Sequence, residues 1–463
     1  MHQPITEPFT ALIMAAGQGT RMRSRVPKVL HEVCGKPMIG WVIDAAREAG
    51  ASQIVCVVRP GDGVAEGLPA GVVVVEQRQG EGTGAAVLAA RALLRQGEPV
   101  VILSGDHPLV SGEVIAELVR AHRRDGATAT LLTTSGLDPS GYGRVVRGDD
   151  GSVARIVETK HTEGLPADVL AIREVNVGTY AFDGGELADA LDAVGSQNGE
   201  HYLTGAIEVL RERGRQIAAH ATDDAAGARG VNTRVDLMEV ETMARERLIE
   251  RLALAGVTFV APGTVVIESG VEIGEDTVIE AGVTLRGVTR IGMGARIGPH
   301  TTMIDARVGD EASVVHSYLV NCEVRDRAMI GPFAYLRPGT VVREGAKLGT
   351  FVEAKNSDIG RGAKVPHLSY IGDADLGEES NIGAGNLTAN YDGFRKHRTV
   401  IGRRVKTGVD TSFVAPVSVG DGAYTGAGSV ITEDVPGRAL GVARARQTNI
   451  KGYADRKEQE QRG

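Results

Sequence analysis

Hydrophobic residues recur at every sixth position in the second half of the chain. Aliphatic side chains keep this spacing from Ile267 to Ile431, with a few changes of phase. A six-residue period fits neither an α-helix, which repeats every 3.6 residues, nor a simple alternating strand. It fits a prism of short strands, in which each face contributes one inward aliphatic residue and glycine relieves the corners. The pattern therefore predicts a parallel β-helix.

The positions in register share an aliphatic, aromatic or β-branched side chain. They are Ile267, Ile273, Ile279, Leu285, Ile291, Ile297 and Met303; Val324, Ile330, Leu336, Val342 and Leu348; Ile359, Val365, Ile371, Leu376 and Ile382; and Ile401, Thr407, Phe413, Val419, Thr425 and Ile431.

The first half, from Ala11 to about Asn232, has a different pattern, in which short apolar runs alternate with helix-length segments. The predicted strands are Thr10 to Met14, Gln53 to Val58, Val72 to Val75, Val100 to Leu103 and Ala127 to Thr133. The predicted helices are Ile39 to Ala49, Thr83 to Leu94 and Gly112 to Arg123. Apolar strands separated by helices favour a mostly parallel sheet covered on both faces. We expect a Rossmann-like α/β domain.

A charged segment with interspersed apolar residues joins the two halves. It runs from Asp236 to Gly256 and ends in a glycine suited to a helix C-terminus. We therefore divide the chain into an α/β domain (1–232), a linker helix (233–256) and a coil with its C-terminal tail (257–463).

Composition supports this division and excludes several classes of function. Glycine makes up 62 of 463 residues, whereas aromatic residues reach only 4%, as a turn-rich coil requires. A net charge of −8 argues against a nucleic-acid-binding protein. The three cysteines, Cys34, Cys56 and Cys322, have no CxxC spacing, so neither a disulfide framework nor a zinc site is expected. No segment has the ~18 apolar residues of a membrane span, and we expect a cytoplasmic protein without membrane insertion.

A glycine-bearing loop follows the first predicted strand. It reads Met14-Ala15-Ala16-Gly17-Gln18-Gly19-Thr20-Arg21-Met22, and Pro27-Lys28 comes soon after it. Small residues at a strand's carboxyl end let backbone N–H groups approach phosphate, and Arg21 can add a bidentate donor. The loop lacks the Lys-[Ser/Thr] ending of a P-loop and the GxGxxG spacing of a dinucleotide fold. With Lys28, it resembles the motif of the sugar-nucleotide pyrophosphorylases.

This resemblance extends through the α/β half and implies roles for particular residues. Arg21 and Lys28 match catalytic phosphate contacts, and Asp106 and Asn232 match the Mg²⁺ ligands. The residues that match contacts to UTP or to the sugar nucleotide are Met14, Ala15, Ala16, Gly17, Lys28, Gln77, Gly82, Thr83, Ser104, Gly105, Asp106, Gly143, Glu158, Asn176 and Asn232. Among them, Gln77, Gly82 and Thr83 match the family's uracil-reading segment, and Gly143, Glu158 and Asn176 match its sugar contacts. Taken singly, Asp106 would more often be a helix cap, and Asn176 or Asn232 a turn residue. One departure is Gly205, where the family commonly has an aspartate.

The coil carries a second set of polar residues. Arg337 and Lys355 fall on consecutive turns, where they can hold a phosphate together, and His367 follows inside a well-formed repeat. An interruption from Thr388 to Val400 breaks the period, and loops that interrupt a solenoid commonly serve binding. A lone histidine is usually structural, but this context favours a base.

The coil resembles the hexapeptide-repeat acyltransferases, whose coil is left-handed and which are typically trimers. The whole chain resembles the bacterial family that acetylates glucosamine-1-phosphate and uridylylates the product, making UDP-N-acetylglucosamine for cell-wall precursors. The resemblance implies acetyl-CoA and UTP as co-substrates, sugar phosphates as ligands and a homotrimer. His367 matches the acetyltransferase base, and Glu353 matches its orienting partner.

The same resemblance implies contacts to both acetyl-transfer substrates. Contacts to glucosamine-1-phosphate are implied for Arg337, Lys355, Tyr370 and Asn381, and contacts to acetyl-CoA for Ala384, Tyr391, Val409, Ala427 and Arg444. For Asn390, the resemblance implies a contact to acetyl-CoA or to the sugar phosphate. Val409 is a departure, because many members have a serine there and valine cannot donate a hydrogen bond.

Two alternatives remain open at this point. The chain could be a monofunctional sugar-1-phosphate nucleotidyltransferase with a structural β-helix, but a scaffold has no need of His367, Arg337 and Lys355. It could also be a non-catalytic assembly module, which the intact segment from Gly17 to Lys28 argues against.

Overall fold

The computed structural model describes residues 8–159, 165–195 and 201–462. The chain forms two compact units, residues 1–246 and 247–463. The helix between the two predicted halves, Arg234–Leu254, contains the division.

The first unit is a mixed sheet with helices on both faces, together with a separate two-stranded hairpin, β2 and β3. Its strands are β1 Thr10–Met14, β2 Glu32–Val33, β3 Lys36–Pro37, β4 Gln53–Val58, β5 Val73–Glu76, β6 Pro99–Ser104, β7 Ala129–Thr134, β8 Arg144–Arg147, β9 Val153–Val157, β10 Val175–Asp183 and β11 Ile217–Ala221. Its helices are α1 Met38–Glu48, α2 Thr83–Ala89, α3 Gly112–Arg124, α4 Ala167–Ala171, α5 Gly184–Ala193, α6 Gly205–Glu212 and α7 Arg234–Leu254. Short 3-10 turns lie at Thr20–Met22, Lys28–Leu30, Ala65–Gly67 and Arg91–Leu93.

The order of the main strands is β11-β7-β10-β6-β1-β4-β5. Strand β10 runs antiparallel to β6 and β7, whereas β6, β1, β4 and β5 are parallel to one another. One apolar core packs α1 and α3 against the sheet, and a second core packs α2, α5 and α6 against the other face. The carboxyl ends of β6, β1, β4 and β5 therefore meet along one edge, where open α/β sheets bind ligands.

The second unit is a coil of three parallel sheets. The first face contains Thr258–Phe259, Val278–Ile279, Arg296–Ile297, Ser313–Val314, Met329–Ile330, Lys347–Thr350 and Lys364–His367. The second face contains Val266–Ile267, Thr284–Arg286, Thr302–Ile304, Tyr318–Val320, Tyr335–Leu336, Glu353–Lys355, Tyr370–Gly372, Leu387–Ala389, Ser412–Val414 and Val430–Ile431. The third face contains Glu272–Ile273, Arg290–Ile291, Arg307–Val308, Glu323–Val324, Val341–Val342, Asp358–Ile359, Ala374–Leu376, Thr399–Ile401 and Val417–Val419.

A few further elements complete the second unit. A 3-10 turn lies at Pro262–Thr264, and strand Tyr424–Thr425 pairs with Leu440–Gly441. Helix α8, Tyr453–Arg462, lies in the exposed tail. Within the described ranges, no helix is long and apolar enough to cross a membrane.

The six-residue period corresponds to the inward side chains of the three faces. Leu336, Val342 and Leu348, which lie on successive faces, are all fully buried. Ile273 near the coil's start is only half-buried. Several phase changes are steps of five residues, for example from Met303 to Val308 at a corner between the second and third faces, whereas the change before Ile401 comes from the inserted segment 388–400. The predicted α/β half, connecting helix and parallel coil are confirmed.

Candidate active sites

A cavity of about 440 Å³ opens at the carboxyl ends of β1, β4, β5 and β6. Most of the predicted nucleotide residues line it. They are Met14, Ala15, Ala16, Gly17, Arg21, Lys28, Gln77, Gly82, Thr83, Ser104, Asp106 and Asn232. Gly105 lies beside them, and its N–H donates to the Met14 carbonyl at 2.9 Å. Residues from distant parts of the sequence therefore meet in one place because the parallel strands end at one edge.

Two oxygen-bearing side chains converge on the Lys28 ammonium in this cavity. Lys28 Nζ forms an ion pair with Asp106 Oδ2 and lies 3.4 Å from Asn232 Oδ1. Arg21 donates to the same Asn232 oxygen at 2.9 Å. Two cations, one carboxylate and one amide thus form a single polar cluster.

Asp106 is held in its ionised form. Burial of the Asp106 carboxyl group acts to raise its pKa. The Lys28 ammonium and a contact with the His107 ring nevertheless hold this pKa well below its usual range. Ser104 donates to Asp106 Oδ1 at 2.6 Å. The carboxylate is therefore anionic at neutral pH and fixed in orientation.

The segment predicted to read uracil is joined to a second stretch of chain. His201 N donates to the Glu81 carbonyl at 2.8 Å, and Gly84 N donates to the His201 carbonyl at 2.8 Å. Thr83 Oγ1 accepts from Leu203 N at 2.9 Å. At Gly82, φ is +97° and a side chain would collide with the His201 carbonyl, so glycine is required for this close approach.

The predicted sugar contacts lie outside the residues that line the cavity. Asn176 N donates to the Gly143 carbonyl at 2.9 Å, and Asn176 Nδ2 donates to Tyr180 Oη at 2.6 Å. Glu158 accepts from Thr204 Oγ1 at 3.3 Å. These bonds join Gly143 to Asn176 in one group and Glu158 to the turn before α6 in another.

The departure at Gly205 has a local packing reason. Gly205 begins α6, and a Cβ atom there would lie 2.7 Å from Val194 Cγ1. An aspartate at this position would force Val194 to move.

The coil brings its predicted phosphate contacts together on neighbouring turns. Leu336 pairs in register with Ala354, so Arg337 and Lys355 follow them side by side. Arg337 donates to Glu353 Oε1 at 2.9 Å. Lys396, from the inserted segment, adjoins Lys355, and this contact lowers the pKa of Lys355. Three cations thus lie close together, which is an arrangement suited to a phosphate group.

Tyr370 lies on the next turn of the same face. It pairs in register with Glu353, and Gly372 pairs with Lys355. The Tyr370 hydroxyl lies against the Gly372 backbone, where a side chain would collide with it. Glycine at this position therefore leaves room for the tyrosine beside Lys355.

His367 ends the strand Lys364–His367 of the first face, beside its register partner Thr350. Its side chain is exposed. Among the described residues, no hydrogen bond or ion pair of the ring is found, and Glu353, its predicted orienting partner, bonds to Arg337 instead. Within the described ranges, the exposed imidazole is therefore accessible to a ligand from solvent.

Three of the predicted acetyl-CoA contacts form a column on successive turns. Asp410 N donates to the Ala384 carbonyl, and Gly428 N donates to the Val409 carbonyl, both at 2.8 Å. Ala384, Val409 and Ala427 therefore lie one above another. The backbone of Asn381 forms parallel β-bridges with Lys364 and Lys406 of the adjoining turns. Tyr391 and Arg444 are exposed, and the Tyr391 hydroxyl donates to the Gly393 carbonyl at 2.6 Å.

Comparison with known proteins covers both units. Residues 11–227 match the model of the MobA-like NTP transferase domain. The bifunctional protein GlmU of Streptomyces avermitilis is 46% identical over 460 residues, which cover 97% of this chain and 95% of that protein. The bifunctional protein GlmU of Heliobacterium modesticaldum is 44% identical, and the match covers 97% of this chain and 98% of that protein.

The chain belongs to the bifunctional GlmU family.

GlmU of Mycobacterium tuberculosis, at 46% identity over 458 residues, covers 96% of this chain and 92% of its own. A solved UDP-glucose pyrophosphorylase from Acinetobacter baumanii covers 54% of this chain, and the match spans 99% of that protein's chain. Its TM-score is 0.41 and its sequence identity is 20%, so this likeness is too weak to bear on function. The GlmU matches include the coil, so they favour the two-reaction interpretation over a monofunctional nucleotidyltransferase or an assembly module.

As a GlmU, the chain is an enzyme with two transferase activities that make UDP-N-acetylglucosamine. It transfers the acetyl group of acetyl-CoA to glucosamine-1-phosphate, and it transfers the uridylyl group of UTP to N-acetylglucosamine-1-phosphate. The product is a precursor for the cell wall.

Two cationic side chains at these sites, Arg59 and Lys396, were not predicted from the sequence. Arg59 directly follows β4 and lines the nucleotide cavity. Its place at the carboxyl end of an apolar strand was a signal that could have identified it. Lys396 lies in the interruption of the coil, and only the folded loop brings it to Lys355.

Proposed function

We propose that the two reactions use separate sites, with uridylyl transfer in the cavity of the α/β unit and acetyl transfer on the coil around His367. The observation that carries the first assignment is the convergence of Arg21, Lys28, Asp106 and Asn232. The observation that carries the second is the cation group of Arg337, Lys355 and Lys396 on the turns adjoining His367. The domain limits that go with this assignment are 1–232, 233–256 and 257–463.

Asp106 and Asn232 are the residues that would hold Mg²⁺ in the α/β unit. Their oxygens both approach a single positive charge, the Lys28 ammonium, so their arrangement fits a cation. Mg²⁺ is commonly held by one or two protein oxygen ligands together with substrate phosphates, and this pair would supply the protein ligands. When bound, the ion would neutralise charge on the phosphates.

Uridylyl transfer requires positioning more than a side-chain nucleophile. An oxygen of the sugar 1-phosphate attacks the α-phosphorus of UTP, and the bond to the β-phosphate breaks to release pyrophosphate. Lys28 and Arg21 would stabilise the charge that develops on the phosphates. Gln77, Gly82 and Thr83 would hold the uracil, with Met14 to Gly17, Ser104 and Gly105 around the rest of the nucleotide. Gly143, Glu158 and Asn176 would contact the sugar.

Acetyl transfer requires a base, because an ammonium group cannot attack a thioester. His367 would take a proton from the amine of glucosamine-1-phosphate, and the amine would attack the thioester carbonyl of acetyl-CoA. The C–S bond then breaks, and the departing thiolate takes up a proton. Histidine is a common general base in enzymes that work near neutral pH. Glu353, which accepts a hydrogen bond from Arg337, would orient the His367 ring.

The remaining coil residues would hold the two substrates. Arg337, Lys355, Tyr370 and Asn381 would contact the sugar phosphate. Ala384, Asn390, Tyr391, Val409, Ala427 and Arg444 would contact acetyl-CoA. The column formed by Ala384, Val409 and Ala427 supports this assignment, since it places three of these residues one above another on successive turns.

The assembly we propose is a homotrimer in the cytoplasm. A stripe of exposed side chains, defined as Phe333, Phe351 and Leu368, follows one corner of the coil and ends next to His367. The two phenylalanine rings stack with centroids 5.4 Å apart. Contiguous exposed apolar groups of this kind favour contact with another chain. The three cysteines, all within the described ranges, are buried and form no disulfide, which agrees with a reducing compartment.

Assaying both half-reactions on two variants tests the separation of the sites. His367→Ala should lower thiol release from acetyl-CoA about a hundredfold or more while pyrophosphate release continues. Lys28→Ala should lower pyrophosphate release about a hundredfold and leave thiol release intact. Each variant thus carries its own folding control. Loss of both activities in either variant would contradict two independent sites.

A further inference from the structure

Asp373 is a buried carboxylate that the proposed chemistry does not use. It lies at the corner between Tyr370–Gly372 and Ala374–Leu376 and is only 7% exposed. Two amides donate to it: Asn356 Nδ2 lies 2.6 Å from Oδ1, and Asn390 Nδ2 contacts Oδ2. Both carboxylate oxygens are therefore satisfied by side chains from the preceding and following turns.

The backbone of Asp373 is joined to the same surroundings. Its N–H donates to the Lys355 carbonyl at 2.9 Å, and its carbonyl accepts from Thr399 N at 3.1 Å. Asn390 and Thr399 lie near the two ends of the inserted segment 388–400. One residue thus connects Lys355, which we assign to the sugar phosphate, with both ends of that segment.

The charges around Asp373 are mostly positive. Lys396 lies against Lys355, and like charges at this distance repel each other. Both ammonium groups are close enough to Asp373 to act on its pKa. Burial acts to raise the pKa of Asp373, but the hydrogen bonds from Asn356 and Asn390 and these ammonium groups hold it below its ordinary value.

We propose that Asp373 is a positioning residue of the acetyl-transfer site. Its carboxylate holds Asn390 in place and offsets the repulsion between Lys355 and Lys396, so that both ammonium groups face the phosphate of glucosamine-1-phosphate. The proposal rests on the assignment of acetyl transfer to the coil.

A purely structural role makes a different prediction. Asp305, Asn321 and Asn356 occupy the same corner on other turns with φ between 43° and 51°, as Asp373 does. If Asp373 only shaped its corner, its replacement would affect stability without a selective effect on one substrate. Asp305 therefore offers a matched control, since it shares the corner and the backbone conformation but lies several turns away.

The test compares Asp373→Asn with Asp305→Asn in the full-length protein. Asp373→Asn keeps the size of the side chain and removes its charge. We expect its KM for glucosamine-1-phosphate to rise about tenfold, with a smaller change in kcat and unchanged pyrophosphate release from UTP. Asp305→Asn should leave both activities at the wild-type level. An unchanged KM for glucosamine-1-phosphate in Asp373→Asn would overturn the proposal.

The pH profile gives a second readout. The charged groups around Lys355 are Arg337, Lys396 and Asp373, and Arg398 with its partner Asp375 adjoins Asp373. Asp373 raises the pKa of Lys355, whereas Arg337 and Lys396 lower it. Loss of the Asp373 charge should therefore lower the pKa of Lys355 further. The KM for glucosamine-1-phosphate should then begin to rise at a lower pH on the alkaline side than in the wild type. If the KM of Asp373→Asn rose at the same alkaline pH as the KM of the wild type, an effect of the Asp373 charge on Lys355 would be contradicted.

A double-variant cycle tests the link through Asn390. Asp373 holds Asn390, which we assign to acetyl-CoA, so Asp373→Asn combined with Asn390→Ala should raise the KM for acetyl-CoA little more than Asn390→Ala alone. Fully additive effects on the KM for acetyl-CoA would contradict this link. If the wild-type protein released no thiol from acetyl-CoA, the assignment of acetyl transfer would fail instead, and the two failures are therefore distinguishable.

Discussion

The two active sites depend on side chains whose charge is set by their neighbours. Asp106 remains ionised in a buried place because Lys28 compensates it. Lys355 is affected in the opposite sense, because the adjoining Lys396 makes its ammonium form less favourable. The first arrangement is suited to a cation and the second to an anion, in line with our proposals of a metal–nucleotide site in the α/β unit and a sugar-phosphate site on the coil.

Val409 offers a test of cofactor binding by a single hydroxyl group. Its side chain is about half exposed in the column with Ala384 and Ala427. A serine there can donate a hydrogen bond, whereas valine cannot. We expect Val409→Ser to lower the KM for acetyl-CoA about threefold to tenfold, since such a bond contributes ~0.5–1.5 kcal/mol.

The control for this variant is Val409→Ala, which shortens the side chain without adding a donor. Steady-state thiol release at varied acetyl-CoA measures both. An unchanged KM in Val409→Ser, or an equal change in Val409→Ala, would show that the missing hydroxyl has no part in binding the cofactor.

Helix α7 stabilises the hairpin of β2 and β3 in the first unit. Glu241 accepts a hydrogen bond from Cys34 N at 2.7 Å, in the turn between β2 and β3. Cys34 has a φ of 47°, which is uncommon for a residue other than glycine. Trp41 of α1 donates to the Val33 carbonyl at 2.9 Å beside the same turn. The helix therefore secures a hairpin that follows the Lys28 segment.

Removing the Glu241 carboxylate should destabilise the first unit. Glu241→Ala leaves the Cys34 N–H without this acceptor, and we expect the free energy of unfolding to fall by about 1–3 kcal/mol. The chain has a single tryptophan, so Trp41 fluorescence during urea unfolding reports on this unit. Glu246→Ala, at an exposed position of the same helix, should change the free energy by less than about 0.5 kcal/mol. Equal effects of the two variants would contradict the assigned task.

The proposed trimer can be tested through the stripe of Phe333, Phe351 and Leu368. Their side chains are 48%, 58% and 61% exposed in the single chain. A glutamate within a buried interface is costly unless it is paired, so Phe351→Glu should dissociate the assembly. Light scattering should give the mass of three chains for the wild type and a lower mass for the variant.

The same variant connects assembly with activity. If the acetyl-transfer site needs a neighbouring chain, Phe351→Glu should lose thiol release and keep pyrophosphate release. Val288→Glu, at another exposed apolar position of the coil, should affect neither mass nor activity. A wild-type protein with the mass of one chain would contradict the trimer.

Much of the architecture could be predicted because periodicity reflects burial. Side chains such as Leu336 and Val342 must point inward on every turn, so the coil can be recognised from their spacing alone. The α/β half was equally accessible, since strands such as Thr10–Met14 and Gln53–Val58 are short apolar runs between helices. The roles of motif residues such as Lys28 and His367 came from the resemblance to known families, and they stay predictions.

Contacts across long stretches of chain were decided only by the tertiary structure. Lys28 and Asp106 are 78 residues apart and meet because β1 and β6 are neighbours in the sheet. Lys396 reaches Lys355, and Asp373 binds Asn390, because the inserted segment folds back onto the coil. Composition and periodicity reveal which side chains are buried and which chemistry is present. Strand order and loop path determine which of those groups share a site, since that depends on packing between distant segments.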